Sequence, residues 1–450
     1  MAVDADAVPP ITAPPGNTPE EPRAERIARE PGRLRRWLLV IGPGVVTGAS
    51  DDDPSGIATY AVAGASFGFA TLWLTVVCLP LMASVQYISA KMGMVRGEGL
   101  AATLIKRYPR WLIYPAILAL AVANTLNAGA DIGAIGAAIE LIVPIPIVVS
   151  VVPIAVGIAA LQVFGSYRLI ASVFKWLALA LVAYVATAFF VRADVGEVLR
   201  GTFVPDIRWD AAYLATVVAI VGTTISPYLW FWQSSQEVDE EICQGRLTIQ
   251  QRRGATNDEL KYRAWDVNLG MFFSELVAYF IIFVTAATLF KSGHTNVNSA
   301  TDAAEALRPL AGDAAKYLLA VGLIGAGLLA VPVLTGASAY SVGQVLGWNA
   351  SLDAKPRQSR RFYAFIALAT LAGVLINFVG INPIDALVYS AVLNGLLAAP
   401  LLVLMMLASA DPEVMGDLAN GAVITILGWA TTVLMGLAAV VLIGAWVFGR

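Results

Sequence analysis

Sulfur and imidazole are nearly missing from this chain: 450 residues hold two cysteines, Cys78 and Cys243, and one histidine, His294. With Cys78 inside an apolar run and Cys243 in a polar one, neither a disulfide framework nor a thiolate metal cage can form. The lone His294, in the hydrophilic stretch KSGHTNVNSATD, excludes a histidine metal cluster and Ser-His catalysis, and the expectation for the chain is a non-enzyme that needs no cofactor. Charge is scarce too. Charged residues make up 14% against 58% hydrophobic, and the mean hydropathy of +0.72 excludes a water-soluble globular protein. The formal net charge of −3 decides little, because membrane proteins partition their charges by side. No short apolar segment with a small-residue cleavage site opens the chain, so the first hydrophobic helix is expected to direct insertion itself.

What is present is a succession of apolar stretches of about 20 residues, each long enough to cross a hydrocarbon core of about 30 Å as a helix. The segmentation predicts eleven spans: 37–66, 69–92, 111–141, 146–165, 168–191, 211–236, 267–291, 315–347, 361–381, 384–408 and 423–447. Residues 1–36, rich in Pro, Ala and Glu and ending in RAERIAREPGRLRR, read as a disordered cytosolic tail with an interfacial turn, ahead of one transmembrane domain over 37–450. Placing the N-terminus in the cytosol puts inside all of the 29 Lys and Arg residues except Arg192, Arg200, Arg208, Lys291, Arg308, Lys316 and Arg450. That asymmetry obeys the positive-inside rule and predicts a multi-pass protein of the cell membrane.

Two spans share an unusual centre. ASDDDPSGIATY in the first and GTTISPYLWFW in the sixth each place a Pro among polar and small residues at mid-span. They stand five spans apart, an odd number, so the two halves run with opposite topology, the signature of an inverted repeat whose broken helices meet near the bilayer midplane. Freed backbone carbonyls there can coordinate a cation.

Within those centres, Asp51, Asp52 and Asp53 are expensive as carboxylates in lipid unless they meet water, a partner or a cation. Capping of the second half-helix is the structural alternative for Asp53, and an aqueous vestibule for Asp51 and Asp52. Thr223, Thr224 and Ser226 offer hydroxyl and carbonyl oxygen, which suits hard cations, although Ser and Thr also serve helix packing. Glu275 and Asp131 are intramembrane carboxylates that either complete a cation site, relay protons or bond a neighbouring helix. For Gln86, Asn124, Asn127, Gln233, Asn268, Asn377 and Asn394, interhelical hydrogen bonding is the default.

The segment GPGVVTGASDDDPSGIATYAVAGASFGFATLW, together with GTTISPYLWFWQSS, resembles the NRAMP family of divalent metal-ion transporters, most closely its magnesium-transporting branch, over about residues 36–447. The resemblance implies a LeuT-type all-α fold: a 5+5 inverted repeat plus an eleventh helix, with helices one and six broken and the ion held between them. It implies that Asp53 is the metal-binding carboxylate and that Gly56 stands where typical members have a metal-binding Asn. Thr223 matches the position that offers its carbonyl, Ser226 the methionine ligand, and Tyr228 and Gln233 two histidine positions. In ANTLNAGADIGAIGAA, Asp131 matches an acidic position used for proton movement, with Asn127 replacing another acid, and Asn394 lies near a polar residue placed at the metal. Asp52, Glu275 and Asn394 are expected to hold waters around the ion.

Loss of the thioether hardens the site, and loss of the Asn and Met side chains leaves room for an ion that keeps waters, as magnesium does. The two missing histidines and the absence of Arg inside the ninth span argue against proton coupling. Uptake driven by concentration and potential, worth about 4.6 kcal/mol per 100 mV for a divalent ion at about 2.3 per charge, is the leading expectation. The competing readings are a proton-coupled manganese or iron transporter of the same family, a sodium-coupled amino-acid transporter and a transporter-like ion sensor. Three Asp residues at the break oppose an anionic substrate, and the absence of a recognisable effector domain opposes the sensor.

Overall fold

The structure, a computed structural model, describes residues 23–32, 41–164, 182–297, 300–308, 312, 315–352, 354 and 356–448, and among them it is helical with no strand. The main helices are α1 (Pro43–Asp51), α2 (Pro54–Phe67), α3 (Leu72–Arg96), α4 (Leu100–Arg107), α5 (Arg110–Ile142), α6 (Ile147–Phe164), α7 (Val195–Phe203), α8 (Ala211–Thr224), α9 (Pro227–Cys243), α10 (Asn257–Thr285), α11 (Ala315–Val345), α12 (Arg360–Val374), α13 (Pro383–Ser409) and α14 (Ala422–Phe448).

Both breaks arise where the sequence demands them. A residue before proline is pushed out of the α region, and proline itself fits the first turn of a new helix, where its missing N–H costs nothing. The first span therefore ends at Asp51 and restarts at Pro54, and the sixth ends at Thr224 and restarts at Pro227. The two breaks follow the same backbone path. Asp52 (φ −78°, ψ 52°) matches Ile225 (−109°, 56°), and Asp53 (−70°, 168°) matches Ser226 (−78°, 131°).

Nine helices among the described residues are long and apolar enough to cross a membrane. Against the eleven predicted spans, the first is split at Asp52–Asp53, and α2 joins α3 through a single turn at Gly68–Thr71, where Gly68 takes a left-handed φ of 62°. The fifth, 168–191, falls mostly outside the described residues, of which Val182–Ala188 is helical. Of the N-terminal 36 residues only 23–32 are described: Arg23–Arg29 is helical, and Ile27 is buried against α10.

The polar connection expected between 236 and 267 is shorter than its hydropathy suggests. α9 continues to Cys243 and α10 begins at Asn257, so the charged residues NDELKYRAWD are helical. Hydropathy reports only the part of a helix that lipid surrounds. Here a capping box between Thr256 and Glu259 and an ion pair of Arg246 with Glu259 at 2.6 Å carry the helix beyond it.

A close backbone approach of α1 on α10 positions the first break. A Cβ on Gly48 would lie 2.2 Å from the Gly270 carbonyl oxygen, and one on Gly270 only 2.3 Å from that of Gly44. Small residues let two backbones meet, which is how helices associate where lipid removes the hydrophobic drive. Gly270→Val is expected to destabilise the protein by about 1–3 kcal/mol through overpacking, seen as a lowered unfolding midpoint of the detergent-purified protein by size-exclusion thermal stability; an unchanged midpoint refutes the packing argument.

Candidate functional site

Asp53 occupies the space between the two breaks. As N-cap of α2, its Oδ1 accepts hydrogen bonds from the Gly56 amide at 2.7 Å and the Ser55 hydroxyl at 2.6 Å. Its Oδ2 accepts one from Asn127 of α5 at 2.9 Å, and Ser390 of α13 donates in turn to Asn127. The capping role and a binding role are therefore not alternatives: a carboxylate has about four acceptor positions, and three are used. Asp131, one turn beyond Asn127 on α5, lies beside Asp53, fully buried, with the Ser55 amide as its nearest donor and no side-chain donor on either carboxyl oxygen among the described residues.

Gly56 faces the second break. A Cβ there would point at Thr223 Oγ1, 3.4 Å away, and at the Asp51 carbonyl, 3.3 Å away, so the missing side chain would enter the gap between the broken helices. Across that gap Ser226 donates to the Thr223 carbonyl at 2.7 Å and to that of Gly222 at 2.9 Å. Both predicted ligands on this wall are thus bonded to each other, each keeping an oxygen lone pair. Tyr60 joins the halves through Thr224 Oγ1 at 2.9 Å. Asn394 sits one turn after Ser390, next to Gly395, whose backbone packs on Gly222; its buried Oδ1 has no partner.

The predicted set does not form one cluster. Asp52 and Glu275 stand with Asp51 around Ser274 of α10, whose hydroxyl lies 2.6 Å from Asp51 Oδ2 and 3.4 Å from Asp52 Oδ1. Asp53 and Asp131 lie with Asn127 and Ser390 against α5 and α13. Among the described residues no three Asp, Glu, His or Cys groups converge tightly enough to cage a bare ion.

Toward the N-terminus of α1 the gap is shut by a ladder of polar ties. Tyr228 donates to the Ser50 carbonyl at 3.1 Å, Thr47 to Gln233 at 2.5 Å, and Gln233 to Glu237 at 2.5 Å, with Gln86 bracing Gln233 from α3. Tyr228 and Gln233, at the positions where the resemblance implies histidines, serve here as interhelical ties. At the end of the ladder Arg263 pairs with Glu237 and Glu240, each at 2.7 Å, and with Asp266 at 2.5 Å. Asp266 accepts the amides of Gly42, Gly44 and Val45 at 2.7, 2.8 and 3.1 Å, taking the place of the side-chain cap that Gly42 cannot supply. A cavity of about 330 Å³ is lined by Ile57 and Ala58 of α2, Ala134 of α5 and Leu387 of α13, with Glu140 and Asn382 as its polar members.

The model of the Nramp family, natural resistance-associated macrophage protein-like, matches residues 44–445. The chain belongs to the Nramp family. Among solved structures, this Nramp protein is similar to a manganese transporter of Eremococcus coleocola, crystallised with an aromatic bis-isothiourea compound: TM-score 0.74, 18% identity, with 94% of this chain and 88% of that one covered. It is also similar to Mhp1 in an inward-facing conformation (0.52, 12% identity, 97% and 94% covered) and to Mhp1, a nucleobase-cation-symport-1 family transporter, closed on bromovinylhydantoin (0.53, 14%, 88% and 92%). At these identities the likeness establishes the fold, which is the LeuT type expected from the broken first and sixth spans. The Nramp chain is a multi-pass membrane transporter of divalent metal ions, not an enzyme, and the metal is its substrate.

Sequence reasoning had Asn127 only as a helix-packing residue or a replaced acid, and it missed Ser274 and Ser390 altogether. The signals were present: Ser274 precedes Glu275, and Ser390 lies one turn before Asn394. Asp266→Ala removes the acceptor of three amides, a loss on the order of 3 kcal/mol. It is expected to raise severalfold the maleimide labelling of a Thr47→Cys variant, buried in this structure, by reagent added from the α1 N-terminal side. Equal labelling with and without Asp266 contradicts the tie.

Proposed function

We propose that this Nramp protein is a uniporter that takes up divalent cations across the cell membrane, magnesium first with manganese as a further cargo, by alternating access and without proton coupling. The N-terminus of α1 then faces the cytosol, and the cavity lined by Ile57 and Leu387 is the outward vestibule. One observation carries the reading: the polar groups at the two breaks, the Asp53 carboxylate, the Thr223 carbonyl and the Ser226 hydroxyl, are all oxygen, and position 56 between them carries no side chain.

Carboxylate, hydroxyl and carbonyl oxygens suit hard ions, and magnesium bound through one or two carboxylates keeps several of its waters. Asp53 contributes the charge and its remaining acceptor position, while the Thr223 carbonyl and Ser226 hydroxyl face it. A Cβ on Gly56 would already meet the Asp51 carbonyl, Thr223 Oγ1 and Tyr60 at 3.3–3.4 Å, so an ion with part of its hydration shell enters only as the two breaks move apart, and the Oδ1 of Asn394 then receives one of its waters. The ladder from Tyr228 to Asp266 must break for release, because it fixes α1 against α9 and α10; the vestibule must close before it does.

Proton-coupled manganese uptake is the second reading, and one observation favours it. Asp131 lies beside Asp53 with no side-chain donor on either oxygen among the described residues, where a relay for protons displaced by the ion would stand.

Magnesium entry into proteoliposomes under an inside-negative potential, with a lumenal pH dye, separates the two. The expected outcome is uptake that Asp53→Ala abolishes, with no acidification; matching acidification or no magnesium entry returns the protein to proton-coupled transition-metal uptake. In the same assay Ser226→Met is expected to shift preference toward manganese at least severalfold, because a thioether favours softer ions.

A further inference from the structure

The Asp51, Asp52 and Glu275 side chains lie outside the ion path just described, and no basic group among the described residues neutralises them. All three are at least 96% buried. Their electrostatic neighbours are one another, with Asp53 on the far side of the break. No Lys or Arg among the described residues pairs with any of them, whereas a few turns away the equally buried Glu237 and Asp266 share Arg263.

Their oxygens are also left open. Ser274 supplies one hydroxyl proton, shared between Asp51 Oδ2 and Asp52 Oδ1. Asp51 Oδ1, Asp52 Oδ2 and both Glu275 oxygens meet no hydrogen-bond donor, although each is shut away from solvent. Buried acceptors without donors are costly, and three such carboxyl groups together are costlier than a helix cap or packing contact requires. The polar rim facing them is oxygen as well: Tyr60 and Thr224 lie on the α2 and α8 side.

We propose that Asp51, Asp52 and Glu275, with Ser274, form a second site for a hard divalent cation, separate from the one at Asp53. Because no three carboxyl groups converge here on a bare ion, the cation binds with part of its water shell, one carboxylate directly and the others through water, the mode in which magnesium is commonly held. The site ties α1 to α10 beside the break, at the helix that must move when the ladder opens. This goes beyond the transport reading and does not depend on which divalent ion is carried.

The test is binding stoichiometry on the purified full chain in detergent, with Mn²⁺ as an EPR-visible probe and Mg²⁺ as competitor. Two ions per chain are expected in the wild type, one in Asp53→Ala, one in Glu275→Gln, and none in the double variant, with Mg²⁺ displacing both. No ion in the wild type, or a single ion that Asp53→Ala removes and Glu275→Gln retains, overturns the proposal; a single ion retained in Asp53→Ala and lost in Glu275→Gln upholds it and overturns the Asp53 site instead. Two ions in the wild type with both retained in Glu275→Gln and in Asp51→Asn overturns it equally. Because no flux is read, failure of the magnesium uptake assay leaves this result intact and distinguishable.

Discussion

A helix interrupted inside a membrane leaves backbone groups with no water to bond, and the arrangement of this protein follows from how that debt is settled twice. At the first break, Asp53 supplies the acceptor for the Gly56 amide and Tyr228 reaches the Ser50 carbonyl; at the second, Ser226 donates to the carbonyls of Gly222 and Thr223. Each repair brings a polar side chain to mid-membrane. The oxygen chemistry collected at mid-membrane is therefore a by-product of satisfying the breaks, whose positions the two proline residues set.

Charge is handled in two opposite ways within a few turns. Near the N-terminus of α1, Arg263 gathers Glu237, Glu240 and Asp266 into a neutralised cluster whose net work is mechanical, anchoring the first turn of α1 through three amides. Beside the breaks, five carboxyl groups, Asp51, Asp52, Asp53, Asp131 and Glu275, have no basic partner among the described residues. In a low-dielectric interior uncompensated acids are costly, so arginine gathers where α1 is anchored, and the acids left without it are those to which the proposals assign cations.

In the proposed reading, glycine at 56 and serine at 226, which the resemblance sets against a metal-binding Asn and Met, harden the donor set beside Asp53, while the scaffold keeps the LeuT-type arrangement shared with the Eremococcus coleocola transporter and Mhp1. Fold is set by helix packing such as the Gly48–Gly270 contact and tolerates change at the breaks; ion preference is set by a few donor atoms and does not.

Hydropathy and two mid-span prolines, read without coordinates, determine that this is a polytopic inverted-repeat membrane protein, that spans one and six break at Asp53–Pro54 and Ser226–Pro227, and that carboxylate and hydroxyl oxygen collect there. Those properties are local: span length, proline sterics and side-chain chemistry need no knowledge of neighbours. Only the tertiary structure decided which carboxylates stand together. Asn127 meets Asp53 from 74 positions away, Ser274 meets Asp51 from 223, and Ser390 meets Asn127 from 263. Whether Glu275 shares a site with Asp53 or with Asp51 depends on the rotation of α10 against α1, which their glycine contact sets and which neither helix, amphipathic on no clear face, could announce alone.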